Sequence, residues 1–124
     1  MDMPAVVVAC DDGALRDRVA TTLGAAGVDV VAAIDTVRMG PATSRLRPDA
    51  VVLISPRPRH VDLGRIGTLA RERAKQAPAV VLLADDPDAI GERARAVGAA
   101  LVGPVPDGCA GDLAAELRRL CRPR

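Results

Sequence analysis

Five short apolar runs, each followed by a segment of different periodicity, constrain the fold of this chain more than any other feature. They are Ala5 to Ala9, Val28 to Ala33, Ala50 to Ile54, Ala79 to Ala84 and Ala100 to Val105. The runs are apolar throughout instead of alternating with polar residues, so each is expected to be covered on both faces, as a parallel strand is. Between them the pattern becomes helical. Leu15, Val19 and Leu23 make one stripe ending at Gly27, Leu63, Ile66 and Leu69 a second, and Leu113, Leu117 and Leu120 a third. Asp86-Pro87 ahead of Ile90, Ala94 and Val97 reads as a helix start with proline in the first turn. The stretch from Thr36 to Leu46 is a weaker helix, because Gly40-Pro41 interrupts it and is expected to kink or shorten it. This order predicts an α/β chain: one doubly wound (βα)5 domain with a five-stranded parallel sheet and right-handed crossovers. Function in such sheets sits at the carboxyl ends of the strands.

Composition narrows what that edge can do. A length of 124 residues suits a single domain spanning 1–124, and no tract approaches the length of a membrane span. There is no Phe, Tyr or Trp, which excludes base stacking and aromatic cages and leaves the core to Val, Leu, Ile and Ala. The net charge of +1 gives no global attraction to nucleic acid. Neither a helix-turn-helix order nor a continuous basic face is present, so direct DNA binding is not expected. Residues 118–124 carry Arg118, Arg119, Arg122 and Arg124, a basic end read as a solvated helix terminus and as a place for a linker to an output domain. The first residues show no charged stretch followed by a long apolar one, so a secretory leader is not expected, and Cys10, Cys109 and Cys121 are too widely spaced for a metal-ligand pattern. A reducing cytoplasm, with no metal and no cofactor, is the expectation.

The stretch "CDDGALR", from Cys10 to Arg16, follows the first strand. Its C-x5-R spacing is similar to the phosphate loop of low-molecular-weight tyrosine phosphatases and arsenate reductases, in which Arg and backbone N–H groups hold a phosphate dianion beside a thiolate. Asp11 and Asp12 would repel both charges, and Asp17 replaces the Ser or Thr that follows the Arg. An enzyme using Cys10 and Arg16 is therefore a secondary reading. Asp11, Asp12, Asp85 and Asp86 lie beside expected helix N-termini, where capping is the commoner role than cation binding. His60 reads as an exposed loop residue, and Cys109 and Cys121 as packing or solvent-facing thiols.

A second resemblance covers nearly the whole chain. From "VVVACDDGALRDRVATTLGAAGVDVV" through "LRPDAVVLIS" to "GAALVGPVPDGCAGDLAAELRRL", the sequence resembles the receiver domain of two-component response regulators. Asp11 lies five residues before Arg16, the Gly27-to-Asp49 separation fits, Pro58 follows strand three, and Gly98-Ala99 precede Val105-Pro106. The resemblance implies a flavodoxin-like fold in which two acidic residues after strand one hold Mg²⁺; these positions fall on Cys10 and Asp11. It places the phosphoacceptor Asp at Ile54, or at Ser55 with a slip of one residue. The Thr or Ser ending strand four falls on Leu83, the strand-five Lys on Val105 and the aromatic switch on Val102. Pro106 matches the proline that follows a cis bond in the family. The only lysine, Lys75, lies before strand four, away from the functional edge.

An alkane cannot carry an acyl phosphate, and losing the carboxylate and the lysine together leaves no unpaired charge in the crevice. The resemblance thus implies a pseudo-receiver that is not an enzyme. It would act by phosphorylation-independent protein contact in signalling or transcriptional regulation. The surface implied is the face of the fourth helix, fifth strand and fifth helix, which the family uses for homodimers and output contacts. A small-molecule sensor using the apolar, acid-rimmed crevice is the alternative within the binding class.

Overall fold

A computed structural model describes residues 3–55, 64, 79–105 and 111–121. Strands β1 (Ala5–Ala9), β2 (Asp29–Ile34), β3 (Ala50–Ile54), β4 (Ala79–Ala84) and β5 (Leu101–Pro104) form one parallel sheet in the order β2-β1-β3-β4-β5. The described helices are α1 (Gly13–Ala25), α2 (Met39–Leu46), α3 (Pro87–Ala96) and α4 (Gly111–Leu120), and a 3-10 turn (Thr36–Arg38) precedes α2. The expected helix over Leu63, Ile66 and Leu69 lies outside the described residues, as do Pro58, His60, Lys75, Pro106 and Cys109.

The period-two direction of strand side chains divides the core. Val6, Val8 and Cys10 of the first crossing, Val52 and Ile54 of β3, and Val81 and Leu83 of β4 pack with Val19 and Leu23 of α1 and Ala114 and Leu117 of α4. On the other face, Val7, Ala9, Val51, Leu53, Val80 and Leu82 pack with Met39 of α2 and Ile90 and Ala94 of α3. The continuous apolar runs of β1, β3 and β4 thus fill two separate cores. Local chemistry delimits the helices. The Asp12 and Asp86 side chains accept the Leu15 and Ala89 N–H groups, at 3.1 and 3.2 Å, as N-caps of α1 and α3. Both helices end at a glycine of positive φ, Gly27 (89°) and Gly98 (118°). The next residue's N–H returns to the helix, Val28 to Leu23 O and Ala99 to Ala94 O, each at 3.0 Å.

Two expectations need correction. The second strand is not covered on both faces: it is an edge strand, and Asp29, Val31 and Ala33 are exposed. A bulge shifts its register, Val6 pairing with Val30 but Val7 with Ala32, so Val31 has no partner in β1 and its side chain is 38% exposed. The strand also begins at Asp29, because the Val28 N–H is used in closing α1. In the stretch from Thr36 to Leu46, Gly40-Pro41 falls inside the first turn of α2, where proline is tolerated, and the break comes earlier, at the 3-10 turn.

Candidate functional site

The chain reverses direction across the sheet between β1, flanked by β2, and β3 on its other side, so the carboxyl ends of β1 and β3 form the switch point where this architecture places its sites. Ile54 ends β3 and stands in register with Leu83 of β4, which in turn pairs with Gly103 of β5. Ile54 is 1% and Leu83 2% exposed. Cys10 is fully buried in the same cluster, and Val105 packs against it half-buried. Four of the five sequence-selected positions thus meet as apolar packing on the α1 and α4 side of the sheet. Ser55 follows them, buried, with its N–H donating to Leu83 O at 2.8 Å.

The fifth position, Asp11, does something different. Its Oδ1 accepts the Thr36 N–H at 3.0 Å and the Thr36 hydroxyl at 2.8 Å, joining the β1–α1 loop to the turn after β2. The neighbouring Cys10 N–H donates to Ile34 O at 3.0 Å, so the same two loops are tied at consecutive residues. Asp12 and Asp86 are engaged as helix caps, and Asp85 is exposed. Among the described residues, no three His, Cys, Asp or Glu side chains are grouped as a metal site requires. Sequence reasoning missed Thr36, since nothing local marks a threonine 25 residues from its carboxylate as its partner.

Cys10 and Arg16 do not form a phosphate cradle. Burial pushes the Cys10 thiol above its usual pKa, and the Asp12 and Asp11 charges act in the same direction; a backbone hydrogen bond from Asp12 and the Arg16 charge oppose them without prevailing. Arg16 folds back toward Gly13, and its Nη1 donates to the Cys10 carbonyl at 3.3 Å. Its Nε is buried without a hydrogen-bond partner, 3.7 Å from Asp17 Oδ1. A sealed, protonated thiol with its arginine turned to a backbone carbonyl lacks the features of an activated nucleophile.

No protein-family model and no curated protein matches the chain. Solved structures do. The signal receiver domain of NarL from Mycobacterium tuberculosis is 24% identical with a TM-score of 0.76, covering 100% of each chain. The chemotaxis response regulator CheY4 of Vibrio cholerae is 19% identical with a TM-score of 0.75, over 96% of this chain and 99% of the other. An atypical orphan response regulator, described as having a phosphorylation-independent regulatory mechanism, is 17% identical with a TM-score of 0.70 over 95% of each chain. At these identities the likeness is one of fold, and the chain has the receiver fold.

Proposed function

We propose that this chain is a receiver-fold signalling module that works without phosphoryl transfer, through contacts with protein partners including a second copy, in signalling or transcriptional control. The reading is carried by one observation: where the receiver register calls for an acceptor carboxylate and a hydroxyl, Ile54 and Leu83 lie in one apolar cluster with Cys10, and where it calls for a lysine, Val105 packs against that cluster. This donor set does not fit the Mg²⁺ that receivers use. A hard cation requires several oxygen ligands, and the one carboxylate of the set, Asp11, is hydrogen-bonded to Thr36. The orphan response regulator with the similar fold is a precedent for regulation of this kind.

For association, the proposed surface is that of α3, β5 and α4, the face implied by the sequence. Both edges of the sheet are poor templates for strand pairing, β2 through its bulge and β5 through Pro104, which has no N–H. Helix α3 exposes Asp88 and Glu92 ahead of Arg93 and Arg95, so an antiparallel contact between two copies sets opposite charges side by side. Among the described residues, no helix is long and apolar enough to cross a membrane.

The test is intact-mass spectrometry after incubation with acetyl phosphate and Mg²⁺, with sedimentation velocity on the same sample. Unchanged mass and an unchanged sedimentation profile are expected. An adduct of roughly 80 Da, the mass of a phosphoryl group, lost on hydroxylamine treatment, overturns the reading.

A further inference from the structure

We propose that the outer face of residues 36–47, on the α2 side of the sheet, docks a partner protein through an acidic amphipathic helix. Met39, Ala42 and Thr43 face inward, and the turn and helix present Val37, Arg38, Pro41 and Arg45 to solvent. Val37 is 71% exposed, the highest value among the exposed large hydrophobics of the described residues. Helical spacing aligns Arg38, Pro41 and Arg45 in one row beside Val37. Gly40, exposed and with nothing within 4 Å of where a Cβ would stand, adds no side chain beside this row to obstruct a second helix.

Charge selects the occupant. Residues 36–47 contain Arg38, Arg45 and Arg47 and no acidic residue, in a chain whose net charge is only +1. The Arg38 contact with Asp35, 3.8 Å between exposed side chains, is weak competition for a partner carboxylate. Arginines around an exposed apolar residue match an acidic surface with an apolar tip. The segment is also held in place. Asp11 accepts both Thr36 donors, and the Asp35 carboxylate accepts the Arg38 N–H at 3.1 Å, so the exposed Val37 lies between two anchored residues. A partner therefore has little ordering of this turn to drive. This face is separate from the one formed by α3, β5 and α4, so either proposal can fail without the other.

The experiment uses the full chain as bait for random peptides displayed on phage, followed by fluorescence polarisation with the enriched peptides. Enrichment of peptides combining Asp or Glu with Leu is expected. Their affinity should fall about tenfold or more in Arg38→Glu/Arg45→Glu, and measurably in Val37→Ser, because both remove surface complementarity and neither touches the core. Three results overturn the proposal: no enrichment, enriched peptides that lack acidic residues, or affinities unchanged in both variants. Vesicles of phosphatidylcholine and phosphatidylserine form the second arm. Binding to these through the same arginines, with the peptides inert, assigns the face to a lipid surface instead.

Discussion

Ile54 and Leu83 stand in register across the β3–β4 ladder at the carboxyl edge of the sheet, both almost completely buried and both in the core shared with α1 and α4. Truncating either therefore leaves a cavity in packed surroundings. Leu83→Ala and Ile54→Ala are each expected to cost about 2–5 kcal/mol. Because the two side chains belong to one cluster, their losses should not add. Urea denaturation of the single and double variants measures both effects; a loss below ~1 kcal/mol for each would show that the edge is not packed as described.

The link between Asp11 and Thr36 spans two loops and should register in a double-mutant cycle. Asp11→Ala and Thr36→Val each remove hydrogen bonds to a carboxylate, so each is expected to destabilise by about 1–2 kcal/mol. Their coupling should reach at least ~0.5 kcal/mol, since either change alone breaks the hydroxyl–carboxylate contact. Faster amide exchange at the Thr36 N–H in Asp11→Ala gives an independent readout of the same contact.

The extent to which this architecture was legible in the sequence follows from where its determinants lie. The bounds of β1, β3 and β4 coincide with apolar runs because those strands are covered on both faces, so burial and composition carry the same signal. At the sheet edges that agreement ends. The bulge at Val31 depends on how β2 meets β1, and β5 is confined to Leu101–Pro104 within a longer apolar run. The apolar character of the site could be read from single positions, as at Ile54 and Leu83. The engagement of Asp11 could not, because it depends on Thr36 being brought across from another loop. The caps formed by Asp12 and Asp86 were legible, since an N-cap and its N–H partner lie only three residues apart.

Burial of the Cys10 thiol carries a pH dependence whose sign is set by its raised pKa. The unfolded thiol ionises near about 8.5, while the folded one stays protonated to higher pH. Its contribution to stability is full below the unfolded value and is lost as pH rises from there through the folded value, because the unfolded state releases the proton first. In a Cys109→Ser/Cys121→Ser background, the urea midpoint should fall between pH 7.5 and 10, and Cys10→Ala should flatten that decline. Native Cys10 should also react with a thiol reagent more slowly than the same residue in urea.

Two glycines three residues apart should respond to alanine in opposite directions. Gly24 lies within α1 with nothing within 4 Å of a built Cβ, so Gly24→Ala is expected to stabilise by roughly 0.5–1 kcal/mol. Gly27 has φ 89°, and a Cβ there would lie 2.7 Å from Arg118 Nη2. The Arg118 guanidinium donates to the Ala26 carbonyl and ties α4 to the end of α1, so the added methyl both strains the backbone and displaces the arginine. Gly27→Ala should therefore destabilise by about 1–2 kcal/mol. Arg118→Ala in that background should relieve the steric part of the loss and leave the backbone part, which thermal unfolding of the unmodified chain, Gly27→Ala, Arg118→Ala and the double variant can separate.

On the proposed reading, placing a carboxylate at position 54 alone should not create phosphoryl chemistry. Ile54→Asp places a carboxyl group in the apolar cluster of Cys10 and Leu83, against which Val105 packs, where burial raises its pKa and, among the described residues, no lysine balances its charge. A loss of about 1–3 kcal/mol in stability is expected, with no modification by acetyl phosphate. Nucleophile, metal ligands and counter-cation act as a unit in acyl phosphate formation, so one without the others contributes little. The combination Ile54→Asp, Val105→Lys, Leu83→Thr and Cys10→Asp supplies all of them and should become labelled, with Mg²⁺ dependence, provided that its circular dichroism shows it folded. Thr36 remains the competitor in that variant, because it holds the Asp11 oxygen the metal would need. Adding Thr36→Val should raise the labelling further, and an unchanged yield would show that Asp11 is not withheld from the metal by this hydrogen bond.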